Sequence, residues 1–147
     1  MDYCTLDDIQ TRIGILPLIQ LTNDNGEGDT IDTVVCEEAL IYSSTLIDGY
    51  LRGKYSLPLN TCFPLLRVVA IDLCIYRLYS RRIYTDIPET ISENYKNAIK
   101  TLEQLKKGVI SLETDEPETS VKTSGEYRTN KTELDRLFNK RVINIEY

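Results

Sequence analysis

Histidine and tryptophan are both absent from this chain of 147 residues, and there is a single methionine. Without histidine the chain lacks the commonest general base, the usual zinc ligand and the partner that activates serine and cysteine nucleophiles. Carboxylate or lysine chemistry stays open, but the sequence singles out no such residue, so no catalytic residue, no cofactor and no metal site is expected. None of the patterns G-x-x-x-x-G-K, G-x-G-x-x-G or G-x-S-x-G occurs, which removes the usual phosphate cradles and the nucleophile elbow. Long apolar runs are also missing. The most apolar stretch, 65–78, is broken by Arg67, Asp72 and Arg77, whereas a bilayer span wants about 20 apolar residues. Met1 to Thr5 shows no basic region leading into an apolar one, so neither a secretory signal nor a membrane contact is expected. Basic runs are lacking too. The formal net charge of −6 argues against tight nucleic-acid binding, and an acidic surface serves first as a solubility device.

What is present reads as one helical domain with a tail. Cys4, Cys36, Cys62 and Cys74 form no C-x-x-C pair and no metal-ligand spacing. Cys36 and Cys74 lie within apolar patterns and read as small core residues in a reducing cytosol; two disulfides are the alternative. Thr5 is a helix cap, its hydroxyl accepting from the Asp8 N–H, with Leu6, Ile9 and Ile13 at helical spacing and Gly14 ending the helix in a left-handed turn. A second short helix, 15–21, is expected to start near Pro17, followed by a loop to Asp32. From Thr33 to Arg52, the residues Val35, Ala39, Tyr42, Leu46 and Tyr50 make a stripe. Cys36, Leu40, Ile47 and Leu51 flank it, while Glu37, Glu38, Ser44, Thr45, Asp48 and Arg52 fall on the opposite side. An extended connector, 55–59, precedes a helix opened by Pro64 and apolar on most faces to Ile83, which marks it as central. Asp86 is the expected cap of the last long helix, with Pro88 in its first turn. A stripe from Ile87 through Ile91, Tyr95, Ala98, Ile99, Leu102 and Leu105 follows, and Lys106-Lys107-Gly108 ends it. The fold expected is all-α, a small bundle of four to five helices around a central apolar helix, with Val69, Leu73 and Tyr76 among its most buried residues.

Composition changes after Leu112, which sets an expected boundary between a helical domain, 1–112, and an acidic linker with a C-terminal docking tail, 113–147. Residues 113–132 are polar without periodicity. Beyond them, Leu134, Leu137 and Phe138 fit one helical face, and Val142, Ile143, Ile145 and Tyr147 fit an added strand. This segment is too apolar to be left in water and is expected to dock on a neighbouring subunit or a partner protein; folding back on its own bundle is the alternative.

Three further features could carry function. The loop 23–29 places Asn23, Asn25 and Glu27 at calcium-ligand positions if Gly28 is the turn glycine, but Val34 then stands where a bidentate glutamate belongs. A solvated turn explains it better; a small cation-binding regulatory protein is the alternative. Arg77, Arg81 and Arg82 cluster near one helix end, complementing its dipole or meeting carboxylates of a neighbouring subunit; a solvated helix end is the plainer reading. Asp48 and Arg52, four apart, are expected to pair. Among ten tyrosines, Tyr50, Tyr55, Tyr76, Tyr79 and Tyr84 crowd one helix junction, which suits an interface and the margin of a small core equally.

The order of motifs adds a resemblance. The opening Tyr3-Cys4-Thr5-Leu6-Asp7-Asp8-Ile9, the Leu21-Thr22 pair ahead of an acidic glycine loop, and Ile31-Asp32 resemble a family of small Mu-like phage neck proteins. So does the most specific stretch, Ile47-Asp48-Gly49-Tyr50-Leu51-Arg52-Gly53-Lys54-Tyr55-Ser56-Leu57-Pro58-Leu59, followed by Pro64-Leu65-Leu66-Arg67, Asp72 and Tyr76-Arg77-Leu78-Tyr79. The likeness covers residues 3–112; the tail matches poorly, and Thr30 lengthens the acidic loop by one residue. The resemblance implies a structural head–tail adaptor that forms a ring beneath the portal protein, often dodecameric, and continues the DNA channel. Its partners would be the portal, other copies of itself and other neck or tail-completion proteins, with DNA only passing through. It would reside in the virion neck, and in the host cytoplasm during assembly. Tyr50, Arg52, Tyr55, Leu57, Leu59, Arg77, Arg81 and Arg82, with Leu134, Leu137, Phe138, Val142, Ile143 and Ile145 in the tail, are the candidate interface.

Overall fold

The computed structural model describes residues 2–24, 28–82 and 86–112. Five helices follow in order: α1 (Leu6–Ile13), α2 (Ile15–Thr22), α3 (Thr33–Leu51), α4 (Pro64–Ser80) and α5 (Glu89–Lys107). The fold is all-α. α4 packs against each of the other four helices, α3 and α5 also pack on one another, and α1 and α2 form a pair on α4. The central position expected of the most apolar helix is therefore observed. Leu66, Val69, Ala70, Leu73, Cys74, Ile75 and Leu78 of α4 are all buried, and Leu66, Ala70, Leu73 and Cys74 have no solvent exposure.

Local chemistry sets the helix ends. The Asp8 N–H donates to the Thr5 hydroxyl at 3.4 Å while the Asp8 carboxylate accepts from the Thr5 N–H at 2.9 Å, a reciprocal cap. Gly14 ends α1 at φ 86°, ψ 159°, a positive φ with an extended ψ; the expected left-handed turn is replaced by a sharp corner from which α2 starts at once. Pro17 thus sits in the first turn of α2 and does not open it. Asp32 caps α3 by accepting from Val34 and Val35, and Pro64 occupies the first turn of α4, its missing N–H being needed by no helical bond there. Gly108 closes α5 in the left-handed conformation, φ 78° and ψ 15°, with the Val109 N–H donating to the Gln104 carbonyl at 2.9 Å.

Three expectations about the helices change. α4 ends at Ser80, short of Ile83. α5 begins at Glu89 with Pro88 as its cap residue, so Asp86 lies outside the helix and is exposed. On α3 the buried line is Cys36, Ala39, Ser43, Ser44, Ile47 and Leu51, rotated from the expected centre, and it includes Ser44 from the side expected to be polar. Ser43 is fully buried because its hydroxyl donates to the Leu40 carbonyl at 2.9 Å, which removes the penalty of an unpaired hydroxyl. Tyr76 is only half-buried: its ring stacks on Tyr95 of α5 at 3.9 Å and an interplanar angle of 18°, at the edge of the core. Tyr84 and the whole of 113–147, with its expected boundary, turn and strand, lie outside the described residues.

Candidate functional site

The sequence candidates separate according to what they touch. Leu59 is buried in this chain's own core and Leu57 packs partly against it, so both serve the fold. Tyr55 is half-buried and its hydroxyl accepts from the Leu112 N–H at 3.1 Å, tying the chain after α5 to the connector after α3. Tyr50 is half-buried beneath the Lys106 ammonium, 5.9 Å from its ring centre. Arg52 is exposed. It does not hold Asp48, whose carboxylate accepts from the buried Tyr3 hydroxyl instead. Burial, followed by that hydrogen bond and the carboxylate charge, pushes the Tyr3 phenol well above its ordinary range. Leu134, Leu137, Phe138, Val142, Ile143 and Ile145 lie outside the described residues.

The arginine cluster divides as well. Arg77 is exposed, its guanidinium 5.1 Å from the centre of the Tyr42 ring. Arg81 donates to the Leu21 carbonyl at 3.0 Å, the Thr22 carbonyl at 3.3 Å and the Asp24 carboxylate. Arg82 donates to the Asn23 carbonyl at 2.7 Å and to Asp24 at 3.1 Å. These two cations therefore bind the orphan carbonyls at the C-terminal end of α2 and the residues just after it. Although its partial desolvation acts the other way, the two guanidiniums hold the Asp24 carboxyl below its ordinary value.

That clamp bears on the loop 23–29. Asp24 is occupied by arginine, and the Asn23 amide is turned inward, donating to the Gly28 carbonyl at 2.8 Å and the Thr30 carbonyl at 2.7 Å. An added Cβ at Gly28 would stand 2.6 Å from the Asn23 amide nitrogen, so a larger residue there would displace that amide. Asn25 and Glu27 lie outside the described residues. Among the described residues no cluster of three His, Cys, Asp or Glu side chains is gathered as metal ligands would be.

Two features escaped the sequence reading. Ile15 and Leu16 on α2, Val34 and Ile41 on α3, and Leu65 and Val68 on α4 are large apolar side chains facing water, Leu16 at 74% exposure. Their spacing carries a faint signal, since Val34 and Ile41 are two turns apart and Leu65 and Val68 one turn apart. The second is Asp72, further along α4, which lines a shallow cleft of about 80 Å³ with Arg12, Ile13, Ile75, Ile91 and Asn94. Desolvation raises the Asp72 carboxyl above its usual value against the opposing pull of Arg12, 3.9 Å away. Elsewhere, the Asp8 carboxylate is buried against Arg67; that hydrogen bond outweighs desolvation and, with the Thr5 contacts, lowers the carboxyl to about 2. The described surface thus offers apolar contacts and internally satisfied ion pairs.

The family model described as Bacteriophage Mu, Gp36 matches residues 3–131. The chain belongs to this phage Mu family. The match continues past Leu112, where the resemblance read from motifs stops, so part of the polar segment also follows the family pattern. Among curated relatives, Gene product J of Escherichia phage Mu is 30% identical over 108 residues, covering 74% of each chain. The Mu-like prophage FluMu protein gp36 of Haemophilus influenzae is 30% identical over 97 residues, covering 66% of each. This is accordingly a protein of a Mu-like phage family, and no helix among its described residues is long and apolar enough to cross a membrane.

Proposed function

We propose that this chain is a structural subunit of the phage neck, a head–tail adaptor that forms a ring beneath the portal and continues the channel through which DNA passes. The observation that carries the reading is the family match running from Tyr3 through residue 131, over the same ordered motifs that resemble neck proteins. The surface is consistent with it. Apolar side chains at three sites, Ile15–Leu16, Val34 with Ile41, and Leu65 with Val68, are the kind of exposed area that subunit contacts bury. The chain is acidic, which favours a lumen that repels phosphate and lets DNA slide. Arg52 and Arg77, exposed and free of carboxylate partners among the described residues, remain candidates for contacts between subunits, as does the apolar tail from Leu134 to Ile145. The cation-regulator alternative loses support from the engagement of Asn23 and Asp24.

The test is assembly. Purified full-length chain, mixed with the portal protein of the same phage, should form rings of uniform stoichiometry seen by native mass spectrometry and negative-stain microscopy. Val68→Asp should leave the helical spectrum intact and abolish the rings. A chain that stays monomeric and never binds the portal would refute the reading.

A further inference from the structure

Cys4 and Cys74 are separated by 70 positions in sequence, yet their sulfurs lie 3.7 Å apart in the core. Both are free thiols and both are buried, Cys74 in the middle of the central helix and Cys4 in the non-helical segment ahead of α1. Cys74 Sγ also lies 3.1 Å from the Ser43 hydroxyl and 3.4 Å from the Ala39 carbonyl oxygen. A sulfur–sulfur bond is about 2.05 Å long, so joining them asks for an approach of under 2 Å. Cys4 lies outside the helices, between the anchored Tyr3 and the Thr5 cap, so the approach falls to the two side chains.

We propose that Cys4 and Cys74 are a dithiol latch, which oxidation converts to a buried disulfide that fastens the N-terminal segment to the central helix. The 3.7 Å contact lets either thiol donate to the other, so either sulfur can be the one that ionises while its neighbour resolves. With a peroxide as oxidant, admitted by local opening of the N-terminal segment, the thiolate attacks one oxygen, the O–O bond breaks, and a sulfenic acid and hydroxide form, the hydroxide taking up the proton that the thiol released. The second sulfur next displaces the sulfenic hydroxyl; the S–S bond forms, the S–O bond breaks, and the departing hydroxide takes the second thiol's proton as water. Two thiols and one peroxide give one disulfide and two waters. Cys36 stands apart, its thiol pushed up to about 11 by burial, then by the Asp32 charge, so it stays protonated.

The latch closes a loop that holds α1, α2 and α3, and its benefit is a restricted unfolded chain. The thiols suit synthesis in a reducing cytosol and the disulfide suits a particle released from it. That timing rests on the neck reading above; the sulfur chemistry does not.

The test uses the full chain carrying Cys62→Ser, so that the exposed thiol cannot cross-link copies. Treatment with hydrogen peroxide should remove two hydrogens from the mass, and non-reducing digestion should yield a peptide pair joined through Cys4 and Cys74. Tm should rise by roughly 10 °C, the order expected for a loop of this length in a domain of this size, and return on adding dithiothreitol. Adding Cys4→Ser should abolish the joined peptide and the rise together. Over-oxidation to sulfinic acid without a joined peptide, or a disulfide form no more stable than the thiol form, would overturn the proposal. The location of the protein in virions is a separate measurement, and its failure would leave this result standing.

Discussion

Replacing Tyr3 by phenylalanine removes one hydroxyl and nothing else, which isolates the contact with Asp48. The ring is 2% exposed and stays buried in the variant, so no cavity opens. What is lost is a hydrogen bond to a carboxylate, worth about 1.5–3 kcal/mol when fully buried. Asp48 is only half-buried, so water recovers part of that and the expected loss is about 1–2 kcal/mol. For a bundle of this size Tm should fall by roughly 5–8 °C. Arg52→Ala is the matched control: the exposed guanidinium does not hold Asp48, so the change should stay within about 0.5 kcal/mol. Urea titrations of Y3F, D48N and the double variant should give a coupling energy of about 1 kcal/mol, and the R52A–D48N cycle should give almost none. A neutral Y3F beside a destabilised R52A would refute the assignment and restore the helical Asp48–Arg52 pair.

Leu73→Ala, at a fully buried position of α4, should cost about 2–5 kcal/mol in urea denaturation while the helical spectrum persists. The folded-state pKa of Asp8 is depressed to about 2 against an ordinary value near 3.8, so its contribution is present above pH 4 and lost as pH falls towards 2. Screening at the exposed Arg67 limits that loss to about 1 kcal/mol, and Arg67→Gln should flatten this part of the stability–pH curve. Arg81→Ala should speed amide hydrogen exchange across residues 21–24 and lower stability by about 1–2 kcal/mol. Arg81→Lys should restore little, because a single ammonium cannot reproduce the planar fork that reaches two carbonyls and a carboxylate.

Local signals were legible wherever one residue decides the outcome. The Thr5 cap, Pro64 at the start of α4 and left-handed Gly108 at the end of α5 can each be read directly, because the backbone group they satisfy is a few positions away. The apolar run that makes α4 central is equally plain. What stayed hidden depends on partners distant in sequence. Ser44 looks wet until the bundle buries it, and Asp48 looks paired to Arg52 until Tyr3 arrives from 45 positions away. Arg81 and Arg82 have the composition of an intersubunit patch, yet they close on a loop nearly 60 residues earlier. Asp86 has good capping chemistry, but α5 starts only after Pro88.

The proposed head–tail role meets its sharpest trial in a phage that lacks the protein. In a phage carrying a nonsense codon early in this gene, grown on a non-suppressing host, heads and finished tails should accumulate unjoined in thin-section and negative-stain micrographs. Adding the purified chain to that lysate should restore joined, infectious particles. Complete particles formed without the protein, or a lysate that the purified chain cannot rescue although its portal and tails are normal, would rule out the head–tail role.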